Sequence, residues 1–159
     1  MIQRIQSVFL LAGAVCMFTA IFLPVWIKVS VDTEGHQVIL NYFYLTHTYQ
    51  GNEIQKIPTF YTGALAFVSA SIFMGSLFSY KNRLKQIKLG LLNTLLMICV
   101  LGLNIYFFWF KGMLFFETLN EGKIQWGFYL PILALLLNSL ANRFIRKDEL
   151  LVRSADRLR

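Results

Sequence analysis

Ionisable residues are missing from four long stretches of this chain. From Ile5 to Ile27, Ile57 to Tyr80, Leu89 to Phe110 and Ile124 to Asn142 there is no Asp, Glu, Lys, Arg or His. Proton relays and ion pathways inside a membrane are built from such groups, so the gap speaks against a pump or secondary transporter. Cysteine is scarce: Cys16 and Cys99 both sit inside apolar runs, where a structural disulfide has no oxidising aqueous face to form in. Histidine is scarcer in effect. His36 and His47 have no acidic or cysteine cluster beside them, so no metal site is expected. Charged residues make up only 14% of the chain, against about 25% in a soluble domain.

What is present in their place is hydrocarbon. Hydrophobic residues reach 57% and mean hydropathy is +0.57. They are concentrated in the four charge-free runs, and each run approaches the roughly 20 residues that a helix needs to cross a bilayer. The expectation is an all-α membrane protein: a bundle of four transmembrane helices at about 5–27, 57–80, 89–110 and 124–142. A short β-hairpin occupies the outer loop 28–56, and a helical tail covers 143–159. The chain reads as one domain. The first run also carries features of a secretory signal, with Arg4 before it and Ala12-Gly13-Ala14 within it. The apolar stretch continues well past that triplet, which favours an uncleaved helix.

Loop charges orient the spans. Arg4, the loop 81–88 and the tail 143–159 hold eleven Lys and Arg residues, whereas the loops 28–56 and 111–123 hold four. Basic loops stay in the cytoplasm, so both ends of the chain are expected there, in the inner membrane of a bacterium. Trp26, Trp109 and Trp126 all fall at outer span ends, as an interfacial tryptophan belt requires.

Two aqueous segments carry apolar residues. In the outer loop, Asp32-Thr-Glu-Gly35 is turn chemistry and Gln37-Val-Ile-Leu-Asn-Tyr-Phe-Tyr-Leu45 is strand-like. Val38, Leu40, Tyr42 and Tyr44 are candidate partner-binding positions there. In the tail, Arg146, Lys147, Leu151, Arg153 and Arg157 are candidates on an amphipathic helix. Inside the spans, Asn93, Asn104, Asn138 and Asn142 read as interhelical hydrogen-bonding groups. The tail interleaves acids with bases, which argues against nucleic-acid binding. Partners are expected to be other inner-membrane proteins, together with anionic lipids at the cytoplasmic face.

The opening Met1-Ile-Gln-Arg-Ile-Gln-Ser7 and the closing Ile145-Arg-Lys-Asp-Glu-Leu-Leu-Val-Arg-Ser-Ala-Asp-Arg-Leu-Arg159 resemble the two ends of a Bacteroidota membrane protein family known as domain of unknown function 4293 (DUF4293). The resemblance covers the whole chain in hydropathy and is specific at these ends. It implies a bacterial inner-membrane protein with four spans, and it implies no activity. The layout also resembles claudin-like proteins, but their Trp and Cys loop signature is absent, so that likeness is architectural only.

The functional expectation is a non-catalytic accessory subunit or assembly factor that binds through its outer hairpin and its tail, with no cofactor. One alternative is a small transporter or channel for a polar solute. The other is a membrane enzyme acting on lipid or quinone, for which Glu117, Glu121, His36 and His47 are the interfacial candidates.

Overall fold

The computed structural model describes residues 2–30, 35–80, 82–115 and 122–157, with backbone alone at 2–4 and 153–157. Four helices, α1 (Ile2–Ala20), α2 (Phe60–Phe78), α3 (Arg83–Tyr106) and α4 (Trp126–Arg157), pack in the ring α1–α2–α3–α4. At one end they carry a five-stranded antiparallel sheet of β1 (Trp26–Val29), β2 (His36–Leu40), β3 (Tyr44–Tyr49), β4 (Asn52–Pro58) and β5 (Lys123–Ile124), in the order β4-β3-β2-β1-β5. The fold is therefore mixed α and β. The expected all-α bundle with a short hairpin is incorrect.

The reason lies at the edges of the apolar runs. Absence of charge does not separate a buried strand from a helix. Trp26 and Ile27, assigned to the first span, belong to β1; Ile57 and Pro58, assigned to the second, belong to β4. Prolines set both boundaries. The residue before a proline avoids the helical region, and the chain leaves α1 through a turn just ahead of Pro24, with Leu23 N donating to Ala20 O at 3.1 Å. After Pro58, Thr59 ties β4 to the sheet: its N donates to Phe43 O at 2.8 Å and its Oγ1 to Asn41 O at 3.1 Å. Between β3 and β4, Gln50 (φ 48°) and Gly51 (φ 83°) make a two-residue turn whose twist suits a hairpin.

Among the described residues, three helices are long and apolar enough to cross a membrane: α2, α3 with its continuation to Phe115, and α4 as far as Val152. In α1 the apolar stretch is the shorter Ile5–Ala20, about 24 Å at 1.5 Å per residue. The expected first span of 5–27 is thus not one continuous helix. At the other end of the chain, α4 has 32 residues, about 48 Å, which exceeds a ~30 Å hydrocarbon core.

The helices are inside-out relative to a soluble protein. Their outward faces are apolar, with Val8, Val15, Phe67, Phe78, Leu95, Ile98 and Leu136 exposed. Their buried faces recur at alternating steps of four and three residues: Gln6, Leu10, Gly13, Met17 and Ala20; Thr62, Ala66, Ser69, Phe73 and Ser76; Gln86, Gly90, Asn93, Met97, Val100 and Asn104; Gly127, Pro131, Ala134, Asn138, Ala141 and Ile145. Small and polar residues at these positions let helices approach and bond.

One face of the sheet is buried, with Trp26, Lys28, Val38, Leu40, Leu45 and His47 on it. A π-helical turn at Phe107–Gly112 follows α3. Trp26 is 1% exposed, packed edge-on to Phe108 at 5.1 Å between ring centroids. Its ring leaves no room for a Cβ at Gly112 or Gly122. Trp26 is therefore a core residue and not part of an interfacial belt; Trp109 and Trp126 are the exposed tryptophans.

Sheet and helices are joined through a missing hydrogen bond. Pro131 lies inside α4 and has no N–H, so the carbonyl four residues earlier, Gly127 O, loses its intrahelical donor. Tyr42, in the β2–β3 turn, donates its hydroxyl to Gly127 O at 2.9 Å. Tyr42→Phe should cost about 1–3 kcal/mol by stranding that carbonyl. Pro131→Ala should restore the helix donor, so Tyr42→Phe should cost clearly less in that background. A double-mutant cycle on thermal unfolding in detergent checks this, and strictly additive effects would contradict it.

Candidate functional site

Among the described residues, polar side chains gather in two nodes between the helices. The outer node joins sheet to helices: Tyr42 OH donates to Gly127 O and accepts from Asn104 Nδ2 at 3.5 Å. Thr62 is buried on α2. Burial pushes the Tyr42 hydroxyl's pKa well above its ordinary value, against a smaller opposing effect of the Asn104 hydrogen bond, so this phenol stays a neutral donor.

The inner node joins α2, α3 and α4. Ser69 Oγ donates to Asn93 Oδ1 at 2.6 Å. Asn138 Nδ2 donates to Gly90 O at 2.8 Å and to Thr94 Oγ1 at 2.9 Å. Asn142 lays its carboxamide where a Cβ on Gly90 would stand, so this approach of α3 and α4 needs glycine. One turn nearer the chain ends, Gln86 Nε2 donates to Ser76 O at 2.8 Å. Beyond that, Arg83 Nε meets Asp148 Oδ2 at 3.0 Å, and Phe9 stacks on Phe144 at 5.6 Å.

Between the nodes the buried positions are Ala66 on α2, Met97 and Val100 on α3, and Pro131 and Ala134 on α4. Ala66, Met97, Val100 and Ala134 are fully buried, so this layer is apolar.

The four asparagines singled out from the sequence are all buried, Asn104 in the outer node and Asn93, Asn138 and Asn142 in the inner one. Gln6, Ser69, Ser76 and Gln86, all buried, were not singled out from the sequence. Their alternating four-and-three spacing with Asn93 and Asn138 was the available signal.

The docking candidates divide. Val38, Leu40 and Tyr42 are buried, so their side chains are not on the surface that a partner would meet. Tyr44 is 44% exposed. One edge of the sheet is β4, with Ile54 exposed among Glu53 and Lys56. On α4, Arg146, Lys147 and Leu151 are exposed, as are Leu150 and Val152. Arg153 and Arg157 lie on the same helix, and their side chains are outside the described residues. Glu117 and Glu121 also lie outside them.

His36 and His47, eleven residues apart, come together across β2 and β3. His36 Nδ1 and His47 Nε2 are 3.1 Å apart, with the rings stacked at 5.3 Å and Phe115 against His47. Such a contact needs one N–H and one lone pair, so protonating both rings breaks it. Among the described residues no group of three His, Cys, Asp or Glu is placed to hold a metal. Lys28 is buried on the same sheet face, and burial lowers its pKa. Burial, and then the charge of His36, lowers the pKa of His47 below 6.5.

A histidine lowered in the folded state resists protonation there. Its contribution to stability is full above 6.5 and is lost as pH falls from that value toward the folded pKa. The melting temperature in detergent should therefore drop between about pH 7 and pH 5, and His47→Gln should flatten the drop. An identical pH slope in His47→Gln would contradict this.

No curated protein matches the chain. A family profile does match, over residues 2–158. With its three membrane-length helices, polar seam and buried-face sheet, the chain belongs to the family described as domain of unknown function (DUF4293).

Proposed function

We propose that the protein is a non-catalytic accessory subunit or assembly factor of a bacterial inner-membrane complex. Both chain ends lie in the cytoplasm and the sheet lies outside. The observation that carries this reading is the apolar layer of Ala66, Met97, Val100 and Ala134 between the two polar nodes. A path for a polar solute needs continuous hydration, and this layer opposes it. Asn93, Asn104 and Asn138 each bond a group on another element, as packing groups in membranes do.

Binding is assigned to the segments beyond the helix packing. Outside, the β4 edge with Ile54 and the neighbouring Tyr44 offers strand pairing to an extended segment of a partner. This replaces the second strand of the hairpin as the outer docking element. Inside, α4 continues past its last packed residues with Leu150, Leu151 and Val152 exposed beside Arg146 and Lys147. Leucines bordered by basic residues suit a membrane protein partner seated at an anionic lipid surface.

Affinity purification of the tagged protein from native membranes tests this. A membrane partner should co-purify and should be lost when Leu150 and Leu151 are replaced by Glu, or when Ile54 and Tyr44 are. Retention through both sets of changes would contradict the proposal. So would a phenotype abolished by changing Asn93, Asn104, Asn138 and Asn142 to leucine in a protein that still binds its partner.

A further inference from the structure

The inner node leaves hydrogen-bonding capacity unused at its centre. Asn93 Nδ2, Asn138 Oδ1 and Asn142 Oδ1 are buried and have no hydrogen-bond partner among the described residues; Ser76 Oγ, two turns along α2 from Ser69, is in the same position. Asn93 and Asn138 are each 1% exposed, Asn142 is 9% and Ser76 is 2%. These groups come from α2, α3 and α4, and the neighbouring bonds already fix their other ends: Asn93 Oδ1 holds Ser69, and Asn138 Nδ2 holds Gly90 and Thr94.

The unused set is chemically mixed. It offers an amide donor, two amide acceptors and a hydroxyl that can be either, and none is charged. Two carbonyl oxygens disfavour an anion, and an amide N–H₂ disfavours a cation. A ligand that both donates and accepts, and is small enough to sit between close-packed helices, matches all of them. Buried water does so, making about three hydrogen bonds to otherwise unsatisfied groups. At membrane depth an unsatisfied polar group is costly, so the site gains from being filled.

We infer that the inner node is a binding site for internal water, which bridges Asn93, Asn138 and Asn142 and extends toward Ser76. The contact of α3 with α4 is then part direct and part water-mediated, and hydration stops at the layer of Met97 and Val100. This holds whether or not the two aqueous segments are docking sites.

Water-edited solid-state NMR of the isotope-labelled protein in lipid bilayers tests it on the unaltered chain. Magnetisation starting on water should reach the side-chain amide of Asn93 and that of Asn138 early, and should reach the side chains of Met97 and Val100 late. Both amides building up as slowly as Met97 would overturn the inference. In Asn142→Leu, which removes one acceptor, early transfer to Asn93 should fall by about twofold or more, as expected when one of roughly three anchors is lost; unchanged transfer would overturn the bridging. Density larger than water between these atoms, in a structure of protein taken from native membranes, would overturn it in favour of a solute cavity.

Discussion

Proline at position 131 removes a backbone donor from α4, and the orphaned carbonyl of Gly127 takes its hydrogen bond from Tyr42 instead. Much of the architecture hangs on that exchange. A carbonyl buried away from water must find a partner, and the partner here belongs to the sheet. The β2–β3 turn is thereby held on the helix ends, and the same phenol receives Asn104 of α3. Next to it Gly127 N donates to Pro24 O at 3.0 Å, and Gln125 N to Val25 O at 2.9 Å. One end of α4 is thus tied to the α1–β1 connection, to the sheet and to α3 together. A side chain on Gly127 would strike the backbone of Leu23 and Pro24, which explains glycine there.

The same rule shapes the helices. In water an amphipathic helix hides its apolar stripe; here the outward faces are apolar and the hidden stripe mixes apolar residues with Gln, Asn, Ser and Thr. Lipid offers no hydrophobic gain for bringing helices together, so association rests on close approach and interhelical bonds, each worth roughly 1 kcal/mol or less. Gly13 under Phe73 and Gly90 under Asn142 provide the approach. The asparagines provide the bonds. They divide into two nodes, with the buried apolar layer of Ala66, Met97, Val100 and Ala134 between them.

The sequence made the helical blocks, the inward-facing asparagines and the family legible, because each rests on a local signal: lack of charge, side-chain chemistry, or the residues at the two ends. The sheet was only partly legible. Trp26 and Ile27 carry no charge and so merge with the helix before them, although Pro24 marks the break. β5 is two residues long and has no local signature, since it exists only by pairing with β1. The burial of Val38, Leu40 and Tyr42 depends on which face of β2 meets the helices, and alternation alone does not reveal that. The pairing of His36 with His47 follows from strand register, and the Tyr42–Gly127 bond spans 85 residues, beyond any local pattern.

Under the proposed function the helices serve as a support for two docking elements, the β4 edge and the far end of α4, which that proposal sets on opposite sides of a membrane. Such placement would let one small protein contact a complex from both faces. Site-directed labelling tests it most directly. Glu53→Cys on β4 and Lys147→Cys on α4 would each be treated with a membrane-impermeant maleimide, in intact spheroplasts and in inverted vesicles. Position 53 should react only in spheroplasts and position 147 only in inverted vesicles. Reaction of both positions from the same side would contradict it.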